Sequence, residues 1–198
     1  MKKIPTLFVR DSEDRSRVLP EVTPGCEWVL DGAGTPTRKW DGTCVMLDTD
    51  GSWWARREVK PGKIPPPDLV LAEYDTTTGK AVGWEPVERS PFAKYHAEAL
   101  AEFAAESVAG DPSMKPRTYE LLGPKINGNP ERFASHLLIA HGWARFSERR
   151  ELAATPRDFD GLRAWLLAHP TWEGIVWHHP DGPMAKLKRR DFPAGGRS

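Results

Sequence analysis

Little in this chain points to a special class of protein. Its 198 residues include only two cysteines, Cys26 and Cys44. That is too few for a disulfide framework and leads us to expect free thiols in a reducing, cytoplasmic setting. No apolar run approaches the length needed to span a bilayer, so no membrane partner is expected. The start Met1-Lys2-Lys3-Ile4-Pro5 has no long apolar stretch behind it and does not read as a secretory signal. Net charge is zero, 28 basic residues against 28 acidic, so no global field draws a polyanion. A nucleic-acid substrate would need a local patch, for which the runs Arg56, Arg57, Lys60, Lys63 and Lys186, Lys188, Arg189, Arg190 are the candidates. There is no internal repeat. Gly32-Ala33-Gly34 lacks the following Gly-Lys-Ser/Thr of a phosphate loop and reads as a turn. His178 and His179, adjacent in a strand, face opposite ways and do not suggest zinc.

What is present fits a soluble globular domain: 39% apolar and 28% charged residues. Alternation and turn residues predict strands over 26–31, 36–48, 52–59 and 69–75, with a hairpin turn at Asp48-Thr49-Asp50-Gly51. Ser90-Pro91 reads as a helix start. The apolar spacing Phe92, Tyr95, His96, Ala99, Leu100, Phe103 continues that helix to near Gly110, with Tyr95 and His96 as packing residues. A strand over 117–123, a short helix from about Pro130, a strand near 137–141 and a helix opened by Thr155-Pro156 follow. Strands 173–179 and 183–190, joined at Pro180-Asp181-Gly182, close the fold. Strands first, in hairpins, with helices inserted later, predict an α+β fold with antiparallel sheets flanked by helices. The expected organisation is one domain over 1–192 and a disordered tail, 193–198.

Chemistry concentrates in Lys39-Trp40-Asp41-Gly42. On one strand Lys39 and Asp41 would share a face, and Gly42 would admit a close backbone or ligand. A strand-held lysine can be a covalent nucleophile, or half of a salt bridge. Alone, Lys-x-Asp-Gly arises by chance in about one chain of this length in twenty. Three further segments follow in order. Tyr119-Glu120-Leu121-Leu122-Gly123 carries a lone carboxylate; Glu173-Gly174-Ile175-Val176-Trp177 opens on another; Met184-Ala185-Lys186-Leu187-Lys188 sets both lysines on one face.

With these motifs the sequence resembles the covalent nucleotidyltransferase superfamily, and within it the compact stand-alone ATP-dependent RNA ligases. The resemblance implies a nucleotidyltransferase (ATP-grasp-like) ligase adenylation fold and catalysis by Lys39, Lys186, Lys188 and Glu173. Lys39 would take AMP from ATP; Glu120 would bond the ribose hydroxyls; Glu173 would hold Mg²⁺ (or Mn²⁺); Lys186 and Lys188 would contact the α-phosphate. Arg56 or Arg57 would contact ribose or nucleic-acid phosphate, and Ile175 or Val176 would form one face of the purine slot. Asp41 would orient Lys39, bind nearby hydroxyls or join the metal site. The amine must be uncharged to attack, which neighbouring cations favour and a contacting carboxylate opposes. The implied partner is RNA with 5′-phosphate and 3′-hydroxyl ends, with no obligate protein partner. A DNA ligase, a GTP-dependent guanylyltransferase and a non-catalytic nucleic-acid-binding relative are the alternatives. The small β-barrel (OB) domain that follows the lysine pair in DNA ligases and capping enzymes is not expected, since ten residues follow Lys188. The acidic residue often found two positions before the nucleophile in DNA ligases is Thr37 here.

Overall fold

The computed structural model of the chain describes residues 3–106 and 114–192. The expected helix end near Gly110 and the expected disordered tail 193–198 lie outside the described residues. In chain order the elements are β1 (Phe8–Arg10), β2 (Val18–Val22), β3 (Thr35–Lys39), β4 (Thr43–Leu47), β5 (Trp53–Val59), β6 (Val70–Asp75), β7 (Lys80–Pro86), α1 (Ala93–Glu106), β8 (Arg117–Leu122), β9 (Leu137–Ala140), α2 (Arg149–Ala153), α3 (Phe159–Ala168), β10 (Gly174–His178) and β11 (Met184–Lys188). All strand pairs are antiparallel, so the chain is α+β with antiparallel sheets and few helices. It divides into two compact units, one of them Asp41–His141, the other Lys3–Trp40 with Gly142–Ser198.

The unit over Asp41–His141 is built on a six-stranded sheet in the order β6-β7-β5-β4-β8-β9. One face of the sheet carries Val45, Ala55, Tyr119 and Leu121, which pack with Val87, Ala99 of α1 and Ile126. Ser90 starts the helical segment as its sequence suggests: its hydroxyl accepts the Phe92 N–H at 3.1 Å. His96 and Tyr95 are packing residues, His96 edge-on to Trp53 and Tyr95 stacked on His136.

The other unit carries the three-stranded sheet β11-β10-β3 and the hairpin β1-β2. Its core joins Leu7, Phe8, Val29, Leu162, Leu166, Ile175 and Leu187. Residues 5–7 run along β11, with Lys186 N–H donating to the Pro5 carbonyl at 3.0 Å and Leu7 N–H to the Lys186 carbonyl at 2.7 Å.

Four expectations need correction. The strand predicted over 36–48 is two strands in different sheets: β3 ends at Lys39 and β4 begins at Thr43. The alternation rule therefore does not put Lys39 and Asp41 on one face. Segment 26–31 is a 3₁₀ turn over Glu27–Val29, because Val29 and Leu30 N–H groups bond Cys26 and Glu27 carbonyls within the segment and leave nothing for a ladder. No helix starts at Pro130: Asn129 (φ +54°) and Arg132 (φ +57°) are left-handed, and the Asn129 side chain takes both polar groups of the Phe133 backbone. The last helix opens at Asp158, whose carboxylate accepts the Gly161 N–H at 2.8 Å, not at Thr155-Pro156.

Candidate active site

Register sets the lysine face. Gly174 of β10 lies opposite both Lys39 and Lys188, and Val176 lies opposite both Thr37 and Lys186. Cross-strand partners and alternate residues share a face, so Lys39, Lys186, Lys188, Thr37 and Val176 project to one side. Gly174 leaves the centre of the first row bare, and a methyl there would strike the Leu187 carbonyl. The opposite face is core: Ile175 is 0% exposed among Leu162, Leu166 and Leu187. Of the two residues expected at a purine slot, Val176 shares the lysine face and Ile175 does not. Thr37 is tied into the same sheet, its hydroxyl 3.2 Å from the Val176 carbonyl and 3.0 Å from His178 Nε2.

Glu173, one residue before β10, sits between two lysines. Lys39 Nζ donates to one carboxylate oxygen and Lys188 Nζ to the other, each at 2.5 Å. All three side chains are largely enclosed, Glu173 being 13% exposed. Burial pushes the Glu173 carboxyl up, but the two lysines outweigh it and the net direction is down. The expected cluster of cations around Lys39 is thus interleaved with a carboxylate in the resting site. Among the described residues no carboxylate lies at contact distance from Lys186. Burial, then Lys188 and Lys39, push its ammonium down to about 8, with Glu173 opposing.

The end of β3 is clamped from its other face. The Arg38 guanidinium lies 4.0 Å from the Trp40 ring centroid and 5.0 Å from that of Trp172, and Nη1 bonds Glu148 at 3.2 Å. This clamp fixes the strand carrying Lys39, and nothing in the motif spacing announced it.

The Asp41–His141 unit holds a second constellation. Glu120 accepts the Gly42 N–H at 3.0 Å on one oxygen and lies 2.8 Å from His141 Nε2 on the other; His141 Nδ1 is 2.9 Å from the Thr118 hydroxyl. Each carboxylate oxygen keeps a lone pair for a further donor. Gly42 is where a backbone comes close, since a Cβ there would meet the Leu121 carbonyl and Glu120 Cγ. Asn127 donates to Asp41 at 3.2 Å and to the Gly42 carbonyl at 2.7 Å, a role its Asn-Gly-Asn turn did not disclose.

Register also separates the two arginines. Cys44 lies opposite Glu120, Met46 opposite Trp54, and Arg56 follows Trp54 by two, so Arg56 shares the face of Glu120. Trp54 is on that face too, its indole N–H buried with no partner among the described residues. Arg57 points the other way, 3.8 Å from Glu85, into a pocket of about 520 Å³ walled by Pro66, Pro67 and Pro86.

A family model described as RNA ligase 1 matches residues 92–194, just over half of the 198 residues. The chain belongs to the RNA ligase 1 family. The matched stretch includes Glu120, Glu173, Lys186 and Lys188 and begins after Lys39. Among curated relatives named RNA ligase 1, the protein of Rattus norvegicus is 29% identical over 171 residues, covering 69% of this chain and 50% of its own length. That of Pongo abelii is 30% identical over 140 residues, 56% of this chain and 40% of the relative. That of Danio rerio is 31% identical over 103 residues, 48% and 30% respectively. The chain spans half or less of the length of these relatives. The resemblance to RNA ligases of the nucleotidyltransferase type therefore holds.

Both Glu173 oxygens are held by lysine ammonium groups, which a cation bound there would have to displace. Mg²⁺ takes oxygen ligands, often one or two carboxylates, and keeps several waters. Among the described residues no group of three or more His, Cys, Asp or Glu side chains gathers, and Glu173 is the carboxylate set against the lysine face. Lys186 tests the electrostatics of this face. Its unfolded counterpart keeps a proton up to about 10.5 and the folded group only to about 8, so folding stability rises as pH climbs through that window. Lys186→Met should melt higher than the parent at pH 7 and lose part of the rise between pH 8 and 10. Thermal scans at pH 7 and 9.5 check both outcomes.

Proposed function

We propose that this chain is an ATP-dependent RNA ligase, acting through lysyl-AMP and adenylated RNA to join 5′-phosphate and 3′-hydroxyl ends. Residues 1–192 then serve as one adenylation domain of the nucleotidyltransferase fold. The single observation that carries the reading is the array Lys39–Glu173–Lys188, with Lys186 one row along, on one face of β11-β10-β3.

In the first step the Lys39 amine, parted from Glu173, attacks the α-phosphorus of ATP. A nitrogen–phosphorus bond forms, the bond to pyrophosphate breaks, and the amine proton passes to solvent. Lys186 and Lys188 face the phosphate oxygens and stabilise the charge that builds there. Glu173 would hold Mg²⁺ (or Mn²⁺), which when bound neutralises phosphate charge. In the second step an RNA 5′-phosphate oxygen attacks the same phosphorus and Lys39 leaves as an amine. In the third a 3′-hydroxyl attacks the 5′-phosphorus and AMP departs. Phosphoryl transfer asks mainly for positioning and charge neutralisation, which this residue set supplies. Glu120 is assigned to the ribose hydroxyls and Arg56, in preference to Arg57, to ribose or RNA phosphate. Val176 is assigned to the purine slot, and Asp41, held by Asn127, to nearby hydroxyls.

The test is nucleotide labelling. Incubation with α-labelled ATP and Mg²⁺ should leave label on the denatured protein, in an acid-labile, base-stable bond that maps to the Lys39 peptide. GTP should leave none. Label from GTP alone, or none from either nucleotide, would overturn the proposal.

A further inference from the structure

We propose that Trp143, Phe146, Arg149 and Arg150 form a docking surface for single-stranded RNA on the unit that carries Lys39; the RNA part of this inference rests on the ligase reading above. Trp143 is 52% exposed and Phe146 85% exposed, and neither joins the buried cluster of their unit. Large aromatic rings left in water, here three residues apart in the chain, mark a contact surface. Their surroundings decide which kind. The Arg149 guanidinium lies 5.9 Å from the Phe146 ring centroid. Among the described residues neither Arg149 nor Arg150 has a carboxylate partner, and both are exposed. The acid within the run, Glu148, is buried and bound to Arg38, so its charge is not presented. Glu151 is the exposed acid that follows.

Cationic forks without anionic partners fit phosphates, and flat rings between them fit bases. Bases in a duplex are already stacked on each other, so rings of this kind select an unpaired strand. The surface also adjoins the reactive strand. The Arg145 guanidinium lies 5.9 Å from the ring centroid of Trp40, the residue after Lys39, and α2 packs against β3. RNA held at Trp143 and Phe146 would lie near the end of β3, on the Arg38 side of that strand. The charge runs that the sequence offers as RNA patches lie elsewhere, and this one is hidden by its interleaved aromatic and acidic residues.

The experiment measures affinity for a fluorescein-labelled, 5′-phosphorylated single-stranded RNA by anisotropy at two salt concentrations. Each of Trp143→Ala and Phe146→Ala should weaken binding about ten-fold, while Trp143→Phe keeps most of it. Arg149→Ala with Arg150→Ala should weaken binding and flatten its salt dependence. These side chains are exposed, so folding is spared, and adenylate labelling from ATP should be unchanged in all variants. If labelling fails in the parent but the aromatic variants still lose RNA, the docking surface stands and the ligase reading falls. If labelling is normal and Trp143→Ala with Phe146→Ala binds RNA as the parent does, the surface is overturned. Competition by duplex RNA or inorganic polyphosphate at equal potency would overturn it as well.

Discussion

Lys39→Ala should abolish transfer of AMP from ATP to the protein, by about four orders of magnitude or more, as loss of a covalent nucleophile does. Lys39→Arg should be as inactive, because a guanidinium cannot lose its proton at working pH. A change of fold is not the expected cause, since in the parent Glu173 also holds Lys188 and the β3–β10 ladder does not use the Lys39 side chain. The decisive contrast comes from RNA that already carries a 5′-adenylate. The third step uses no lysine–phosphorus bond, so Lys39→Ala should still seal such RNA to a 3′-hydroxyl while failing with ATP and 5′-phosphate RNA. Covalent label on Lys39→Ala protein would remove Lys39 from the role. Equal loss of both reactions would make the lysine a structural residue.

The pattern of the chain made some of this legible and hid the rest, for physical reasons. Strands β5, β8, β10 and β11 were readable from β-favouring residues set off by turn residues, and the pair Lys186 and Lys188 follows from period two alone. The break after Lys39 was not readable. Trp40 suits a strand, and the switch between two sheets, with Gly42 N–H turned to Glu120, ends β3 where it does. Strand β7 carries Gly83 and Pro86, which argue locally against a strand; its pairing with both β5 and β6 overrides them. The helix predicted at Pro130 fails because the Asn129 side chain competes for the backbone, which a propensity reading cannot weigh.

At the candidate site, residue types were legible and partners were not. Lys39, Glu173 and Lys188 stand out as chemistry-bearing residues in the right order, yet nothing in their spacing says that one carboxylate receives both ammonium groups. His141 was invisible for the same reason. It follows β9 as an ordinary polar residue, and only the pairing of β8 with β9 sets its ring against Glu120 and Thr118. Arg38 stacks on Trp40 two residues on and on Trp172, which lies far away in sequence. Aromatic content alone could not assign them.

Glu173→Ala carries the second large expectation, on stability as well as activity. Removing the carboxylate leaves Lys39 and Lys188 facing each other and Lys186 on one enclosed face, with the negative charge between them gone. Breaking an enclosed pair from one side costs about 3–5 kcal/mol, because the remaining charges are left uncompensated. The pH dependence identifies the cause. The folded carboxyl titrates below its unfolded value of 4.5, so the unfolded chain takes up the proton first as pH falls. The stabilisation is therefore complete above about pH 4.5 and is lost as pH drops through the lower, folded value. In urea unfolding without divalent cations, the gap between parent and Glu173→Ala should be wide and constant from neutral pH to about 5, then narrow in acid. Adding Lys188→Met to Glu173→Ala should recover part of the loss, since it removes one of the stranded charges, and the double-mutant cycle measures that coupling. Equal urea midpoints for parent and Glu173→Ala at pH 7 would mean that the carboxylate does not hold the lysines together. The site would then lose the feature that keeps three ammonium groups together on one face.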